Sequence, residues 1–447
     1  MNTIACLFIA LLSSQPASSQ EIDGQTPPHL DQRIDPTRIT LLELPPLPQR
    51  VVLPLPPEHR IAANTEESPI DTARDQRARV AIQKGLDYLR TLQSDSGLWA
   101  IGLKANPTDH EHQATPVDLA VTAMAVKAFA QAGQGNDPAA INGVEAMLNS
   151  REEDGTFKAS PLTNYVTASI VSALAAHDEF EHGGVILDMT TQLKEMQWDE
   201  GEGLSKAQDW YGGAGYGNRG RPDLSNTQIM LEALYDAGVS PDEPAVQRAL
   251  AFISRAQNLK ATNNASWNTD DGGFIYTPAN GGESMASEAA GEGRDGRAKL
   301  SLNELPSLRS YGSMSYAGFK SLLYAGLAPD DVRVRAVFDW VRHHWTLDEN
   351  PGLGQQGYYY YLHAVARALR VAQQEEIIDI DGQPHRWRDE LIDTLLARQQ
   401  PNGGWVNTQD RWLESEPALT TTYALLAIEE ALKPLGITPT PVKKNIE

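Results

Sequence analysis

Aromatic side chains are the residues of this sequence best suited to act on an uncharged ligand, because their faces stabilise a passing carbocation or stack on sugar rings. The candidates stand in long loops or near the starts of apolar helical segments. The candidates to line a ligand cavity are Trp210, Tyr211, Tyr216, Tyr311, Tyr316, Tyr358, Tyr359, Tyr360, Tyr361 and Tyr423. Tyr316 and Tyr358 are also candidate catalytic residues. Core packing is the competing interpretation for each tyrosine, and of the four tyrosines at 358–361 only one or two can face a cavity.

Polar candidates are fewer. Asp118 and His363 are candidate catalytic residues, and Asp223 is a candidate ligand contact. Carboxyl groups and imidazoles act as general acids or bases when their surroundings tune their pKa. Helix capping explains the two aspartates equally well, and burial with a hydrogen bond explains the histidine.

One short segment has the residue types of a metal site. Asp109-His110-Glu111-His112 places two histidines on one side of an extended chain, and Asp118 follows. A solvated acidic loop explains this segment as well, and its spacing matches no specific metal motif. We therefore predict neither a metal nor a cofactor.

Six pairs of helices position these residues, each with an amphipathic helix followed by an apolar one. The amphipathic helices are predicted near 78–93, 138–150, 186–197, 243–257, 331–344 and 387–400. The apolar helices are predicted near 116–131, 161–176, 222–237, 312–325, 358–373 and 417–432. Because a helix that is apolar on all sides is buried on all sides, the sequence predicts an all-α fold, an (α/α)6 toroid of six inner helices inside six outer ones.

A recurrent spacing closes several of the outer helices. It is clearest at Gln93-Gly97-Trp99 and Gln399-Gly403-Trp405, with looser copies at Gln197-Gly201, Asp154-Gly155-Thr156-Phe157 and Asp271-Gly272-Gly273-Phe274. This spacing resembles the QW repeat of squalene-hopene and oxidosqualene cyclases. The array over residues 76–435 resembles the prenyltransferase and squalene oxidase repeat superfamily. The resemblance implies a terpenoid-cyclase-like toroid in which the repeat tryptophans staple the structure.

The activities known in that superfamily need residues that are changed or missing in this chain. Cyclases of the squalene type protonate an alkene with an Asp-x-Asp-Asp motif, whereas the nearest segment here is 268–271, which begins with Asn268. Protein prenyltransferase beta subunits bind zinc through Asp, Cys and His, and complement-type thioester domains also need cysteine. The single cysteine, Cys6, lies in a predicted signal peptide. The resemblance therefore implies the fold and leaves the activity open.

Composition and the chain ends restrict partners and location. The 447 residues carry a net charge of −22, which disfavours nucleic acid and anionic membranes, and no apolar run is long enough to span a membrane. Residues 1–19 are predicted to be a signal peptide, which implies export to the periplasm or the exterior. Residues 20–75 are predicted to be a proline-rich extended linker and residues 436–447 a C-terminal tail. The oligomeric state is not predicted.

The loops from each outer helix to the next inner helix emerge at one end of such a toroid. The positive ends of the inner helix dipoles meet there and favour an anionic or electron-rich ligand, unless nearby carboxylates offset them. The longest loop, 275–311, is predicted to be a mobile lid, with a disordered loop as the alternative.

Three functions follow as hypotheses. The first is an exported toroid that binds an apolar isoprenoid or lipid-like ligand and is a candidate to cyclise or transfer it. The second is a non-catalytic scaffold or protein-interaction toroid, which predicts that Tyr316, Tyr358 and His363 are packed side chains. The third is a carbohydrate-active barrel, which predicts an open groove with a pair of carboxylates.

Overall fold

The structure is a computed structural model that describes residues 72–101, 114–157, 161–217, 220–301 and 304–435. The predicted signal peptide with Cys6, most of the predicted linker, the 109–112 segment and the predicted C-terminal tail lie outside these residues. Within the described ranges, no helix is both long and apolar enough to cross a membrane.

The described part of the chain forms twelve α-helices and one short antiparallel hairpin. The helices are α1 Thr72–Leu92, α2 Pro116–Gln131, α3 Pro138–Asn149, α4 Thr163–Glu195, α5 Leu224–Asp236, α6 Pro244–Ala256, α7 Met285–Ala289, α8 Gly312–Tyr324, α9 Val332–His343, α10 Tyr358–Val371, α11 Trp387–Arg398 and α12 Pro417–Leu432. The hairpin pairs β1 Ile377–Ile378 with β2 Pro384–His385.

Six of the helices form a closed inner ring. In order around the ring, α2 packs on α4, α4 on α5, α5 on α8, α8 on α10, α10 on α12, and α12 returns to α2. The outer helices cover this ring: α3 packs on α2, α6 on α5 and α8, α9 on α8, α11 on α12, and α1 on α12 and α2. The predicted (α/α)6 toroid is confirmed by this arrangement.

The segment α4 contains an inner helix and an outer helix that meet at a break. It bends at Asp178, whose backbone leaves the helical region at φ −159° and ψ 94°. The Asp178 carboxylate then accepts hydrogen bonds from the backbone N–H groups of Phe180 and Glu181, each at 3.0 Å, as an N-cap does. The outer helix predicted near 186–197 is therefore the end of α4. At the other boundary, α1 begins at Thr72, inside the range predicted to be linker.

A glutamine at the end of an outer helix ties its repeat to the next outer helix. Gln93 Nε2 donates to the carbonyl of Gly97 in its own turn (2.9 Å) and to the carbonyl of Ala139 in α3 (2.8 Å). Equivalent pairs of hydrogen bonds are made by Gln197, Gln257 and Gln399. Each bridge satisfies two backbone carbonyls and so fixes the spacing between neighbouring repeats.

Two of these bridges differ from the spacing in the sequence. The turn glycine that pairs with Gln197 is Gly212, at 2.9 Å, and not Gly201 as predicted, because residues 199–211 form an inserted loop. Gln257 pairs in the same way with Gly272 at 2.9 Å.

The repeat tryptophans staple the outer helices to their turns. Trp99 is fully buried and donates from Nε1 to the carbonyl of Leu89 at 2.7 Å. Trp405 is equally buried and donates to the carbonyl of Leu395 at 2.8 Å. Each indole therefore closes its turn back onto the preceding outer helix.

The described parts of the 275–311 loop are folded onto the toroid, where the sequence suggested a mobile lid. The carbonyl of Tyr276 accepts a hydrogen bond from the N–H of Leu224 at 2.8 Å, which attaches the loop to the start of α5. Glu283 forms a two-pronged ion pair with Arg221. A Cβ added at Gly282 would lie 2.7 Å from both Trp267 and Leu308, so this glycine is needed for close packing.

Candidate functional site

Side chains from inner helices that are not neighbours in the ring meet at its centre. Gln228 of α5 donates to the Tyr360 hydroxyl of α10 at 3.3 Å, past α8. The hydroxyls of Tyr165 in α4 and Tyr423 in α12 lie 3.4 Å apart, past α2. These contacts can only pass through the space that the ring encloses. The four side chains therefore mark the centre of the toroid, near the first turns of the inner helices.

The partial exposure of several side chains at this centre indicates a space between the inner helices. Tyr165, Tyr216, Tyr360 and His363 remain partly exposed, although protein surrounds each of them closely enough to shift its pKa by burial. A side chain that is both accessible and surrounded by protein faces an internal space. We call this space the chamber and define it by Tyr165, Tyr216, Gln228, Tyr360, His363 and Tyr423.

A carboxyl group lies beside the chamber. Asp223 is 1% exposed and caps α5: Oδ1 accepts from the N–H of Asn226 at 2.8 Å and Oδ2 from its side-chain amide at 2.9 Å. The Tyr276 hydroxyl lies within hydrogen-bonding reach of Asp223 and 3.4 Å from the Tyr216 hydroxyl. Burial raises the pKa of Asp223 to about 6, because these polar contacts only partly offset the loss of water. Asp223 can therefore hold and release a proton in the range where acid–base catalysts operate.

Carboxylates offset the helix dipoles at this end of the toroid. Asp118 caps α2, with its two oxygens accepting from the N–H groups of Ile101 and Thr115, each at 2.8 Å. Glu414 reaches α10 from the loop before α12 and accepts from the N–H of Tyr360 at 2.8 Å. Together with Asp223, they place negative charge at three of the six inner N-termini.

The rim cations near the chamber are paired, and its histidine is neutral. Arg221 pairs with Glu283, and Arg411 donates to Glu288 of α7 at 2.6 Å. Burial lowers the pKa of His363 to about 3, so its imidazole carries no charge near neutral pH. The described surroundings of the chamber are therefore close to electrically neutral.

Buried ion pairs close the opposite end of the ring. We call these residues the floor cluster: Lys127, Glu232, Asp236, Lys320, Arg367 and Glu430. Lys127 Nζ lies 3.2 Å from Glu232 and 2.9 Å from Asp236, Lys320 pairs with Glu232, and Arg367 joins Asp236 to Glu430.

The floor cluster lies directly below the chamber. Burial opposes the charge of Glu232, but the cations Lys320, Lys127 and Arg367 outweigh it and hold the pKa of Glu232 well below its usual range. Gln228, Glu232 and Asp236 occupy successive turns of α5, at a rise of about 6 Å per four residues. The chamber wall therefore continues into a charged floor.

Comparison with known proteins gives similarity at the level of solved structures. No family model matches the chain, and no curated protein is similar to it in sequence. The type II terpene cyclase MstE from Scytonema, in complex with its substrate geranylgeranyl dihydroxybenzoate, is 12% identical over 80% of this chain and 97% of its own, with a TM-score of 0.45. An alpha-1,6-mannanase of Salegentibacter sp. HEL1_6, bound to alpha-1,6-mannotriose, is 11% identical over 79% and 99%, with a TM-score of 0.47. A protein from Actinoplanes is 14% identical over 80% and 100%, with a TM-score of 0.43. At these identities the ligand and the reaction of this chain have to be argued from its own site.

Three predicted site tyrosines have their described contacts away from the chamber. The Tyr358 hydroxyl donates to the carbonyl of Leu347 at 2.5 Å, and Tyr359 packs edge-on against its ring at 5.3 Å. Tyr316 packs edge-on against Tyr361, with ring centroids 5.6 Å apart. All three are buried. In the run of four tyrosines it is Tyr360 that faces the chamber.

Two aromatic candidates of the third loop also lie elsewhere. Trp210 packs edge-on against Trp198 at 4.9 Å and donates to Asn280 at 3.0 Å. The Tyr211 hydroxyl donates to Glu200 at 2.7 Å. These contacts lie within the inserted loop, residues 199–211, or join it to Trp198 and Asn280.

The remaining predicted residues divide into two groups. Asp223, His363 and Tyr423 lie at the chamber. Tyr311 is buried nearby: burial raises the pKa of the Tyr311 hydroxyl, and Tyr360 and Asp223 raise it further. Asp118 holds the start of α2. Within the described ranges, no three or more histidine, cysteine or acidic side chains are arranged to hold a metal ion.

Sequence reasoning identified Tyr216 as a candidate but missed Tyr165, Gln228 and Tyr276. A usable signal was present for Gln228, because polar residues at 228, 232 and 236 follow one face of an otherwise apolar helix. Tyr276 carried no such signal, because it reaches the chamber only through the fold of the 275–311 loop.

Proposed function

We propose that the chamber binds an uncharged, mainly apolar ligand of isoprenoid or lipid type, and that Asp223 exchanges a proton with it. The observation that supports this most strongly is the composition of the chamber wall. Tyrosine rings line the chamber, and ion pairs lie below it. Beside it stands Asp223, a carboxyl group with a raised pKa.

The neutrality of the chamber favours an uncharged ligand. An anionic ligand would meet the cap carboxylates Asp118, Asp223 and Glu414, and it would find the described rim arginines already paired. A cationic ligand would have to give up its hydration on entering the chamber. Aromatic faces, in contrast, favour an electron-deficient centre that forms transiently during a reaction.

A proton transfer from Asp223 would suit a cyclisation. The proton moves from the carboxyl oxygen to an electron-rich carbon or oxygen of the ligand, and the aromatic wall stabilises the resulting cation. Loss of a proton from the product returns it to the Asp223 carboxylate. The step therefore balances without a further reactant.

The two alternatives are less well supported. The described hydrogen-bond partners of Asp223 are amides and a tyrosine, whereas a carbohydrate-active barrel predicts a second carboxylate. The scaffold hypothesis predicts packing of Tyr316, Tyr358 and His363. The two tyrosines are packed, but His363 lines the chamber.

Binding of farnesol, an uncharged isoprenoid alcohol, tests the proposal, with farnesyl diphosphate as the charged comparison. Calorimetry should show farnesol binding to the wild type more tightly than the diphosphate. Tyr360→Trp fills the chamber and should weaken binding by about tenfold or more, or about 1.4 kcal/mol. Tyr358→Phe, which removes a hydroxyl outside the chamber, is the control. Equal binding by the wild type and Tyr360→Trp, or tighter binding of the diphosphate, would contradict the proposal.

Export is part of the same proposal and rests on residues 1–19. N-terminal sequencing of the protein from its own cells tests it. A mature terminus near residue 20 supports export, and retention of Met1 in the accumulated protein argues against it.

A further inference from the structure

Part of the chamber wall carries polar atoms for which the protein provides no partner. Gln228 is 2% exposed, and its Oε1 accepts no hydrogen bond. Ser169 of α4 is 5% exposed, and its hydroxyl is likewise without a partner. In most proteins, buried side-chain polar atoms are hydrogen-bonded, so two such atoms on neighbouring helices call for an explanation.

Both side chains point to the same space. Gln228 reaches the centre of the ring, because its Nε2 donates to Tyr360 across the chamber at 3.3 Å. Ser169 lies one helical turn below Tyr165 and so shares its chamber-facing side of α4. Since α4 and α5 are neighbours in the ring, Ser169 and Gln228 lie on adjacent helices of the wall.

The orientation of the Gln228 amide does not remove the unmet hydrogen bond. Oxygen and nitrogen of an amide can be exchanged by a flip, so either atom can face the Tyr360 hydroxyl. In both orientations the other atom is left unpaired. The free atom is an acceptor in one orientation and a donor in the other.

This polar pair disfavours a purely hydrocarbon ligand. A ligand that displaces water from a buried polar atom without replacing its hydrogen bond loses about 1–3 kcal/mol for that atom. A hydroxyl group both donates and accepts, so it can satisfy the serine and either face of the glutamine amide. A diphosphate would bring charge into the same neutral surroundings.

We infer that Gln228, Ser169 and Tyr360 form a hydroxyl-binding subsite in the chamber wall and that the ligand is an uncharged lipid alcohol. This inference rests on the proposed function and specifies the ligand class. The apolar part of the alcohol lies against the tyrosine rings, and its hydroxyl lies between α4, α5 and α10.

The preference for an alcohol over its methyl ether tests the subsite. Farnesol and farnesyl methyl ether have the same carbon chain, but only the alcohol donates a hydrogen bond. The wild type should bind farnesol about tenfold more tightly, as expected for about 1.4 kcal/mol from one hydrogen bond in a buried site. Gln228→Met keeps the volume of the side chain and should reduce this ratio to about one, whereas Gln83→Met on the exposed face of α1 should leave it unchanged.

The outcomes separate the subsite from the chamber. Equal affinities of the wild type for alcohol and ether, with both bound, would overturn the subsite and leave the proposed function intact. Binding of neither compound would overturn both. If Gln228→Met does not fold, Ser169→Ala takes its place, and an undiminished preference in the folded variant would overturn the inference.

Discussion

Asp223 combines two roles in one carboxyl group. It caps the first turn of α5 through the N–H of Asn226, and it stands beside the chamber with a pKa raised by burial. A cap favours the charged carboxylate, whereas burial favours the neutral acid, and burial prevails here. The residue thus positions an inner helix and holds a proton close to the ligand space.

Replacing this carboxyl group should change how stability depends on pH. The folded protein keeps the Asp223 proton between the usual pKa of 3.8 and the folded value of about 6, whereas the unfolded chain has released it. Stability therefore falls as pH rises through this interval, by about 3 kcal/mol. Asparagine remains a good N-cap and does not titrate.

Relative to the wild type, Asp223→Asn should gain about 3 kcal/mol of unfolding free energy between pH 3.5 and pH 8. Urea unfolding of both proteins at the two pH values measures this gain. Asp242→Asn, at an exposed position, is the control. A difference from the wild type that does not vary with pH would show that Asp223 is not held neutral by burial.

Single residues were predictable where their neighbours gave them an orientation. Asp223, His363 and Tyr423 follow from their positions on apolar helices. The four consecutive tyrosines gave no orientation, since they face all sides of α10, and only the closed ring shows that Tyr360 faces inward. The sequence placed Tyr165 on an uncharged, buried helix. Its position in that helix did not show whether the side chain faces the chamber or packs in the core.

At the level of elements, the turn glycines determine how closely successive repeats approach. A Cβ added at Gly212 would lie 1.8 Å from the carbonyl oxygen of Arg248 in α6, and Gly212 has φ +84°. Gly97 and Gly403 make the same kind of approach to a neighbouring outer helix, with added Cβ atoms at 2.5 and 2.4 Å from backbone oxygens. The bridging glutamines therefore act on turns that already touch the next repeat.

A pair of glycine substitutions separates this contact from backbone strain. Gly238 has φ +71° with nothing within 4 Å of an added Cβ. Gly238→Ala should cost only the left-handed strain of about 1 kcal/mol. Gly212→Ala should cost at least twice as much, because α6 must also move. Urea unfolding compares the two variants, and equal losses of stability would contradict the role of the contact.

The sequence predicted the glutamine bridges correctly where the glutamine and its turn glycine are close together in the chain. Gln93 and Gln399 stand four residues before their turn glycines, and the sequence identified both. Gln197 and Gln257 stand fifteen residues before theirs. The sequence suggested the wrong glycine for Gln197, and it identified the Gly272 turn without its partner Gln257. Local spacing does not show which turn returns to the helix end after an insertion.

At the scale of the whole molecule, the two ends of the inner ring carry different charged groups. The N-terminal end has carboxylate caps around a neutral chamber. The C-terminal end collects the lysines and the arginine of the floor cluster, which complement the negative ends of the helix dipoles, and the carboxylates of the cluster balance them. The toroid was predictable from the alternation of amphipathic and apolar helices. The floor cluster was not, because its members come from helices far apart in the sequence.

Removing the central carboxylate of the floor cluster should destabilise the whole toroid. Glu232→Gln removes the carboxylate that pairs with Lys320 and leaves Lys127 with Asp236 alone, in a buried site, which costs about 3–5 kcal/mol. Asp393→Asn breaks an exposed ion pair of 3.3 Å with Arg77 and should cost less than about 1 kcal/mol. Chemical denaturation at pH 7 measures both. Similar small losses would contradict the structural role of the cluster.

The same carboxylate should make the protein sensitive to acid. The folded pKa of Glu232 is held well below its usual value of 4.5, so its contribution is fully present above that value. It is lost as pH falls below 4.5 toward the lowered pKa, because the unfolded chain then binds the proton first. The wild type should lose its stability advantage over Glu232→Gln across this range.

The central claim is that the chamber holds an uncharged lipid, and native mass spectrometry of the protein isolated from its own cells tests it most directly. The wild type and Tyr358→Phe should each carry a lipid adduct, identified after denaturation as an isoprenoid or related alcohol. Tyr360→Trp, folded but with its chamber filled, should carry none. An identical adduct on Tyr360→Trp, or an oligosaccharide in place of a lipid on the wild type, would contradict the account.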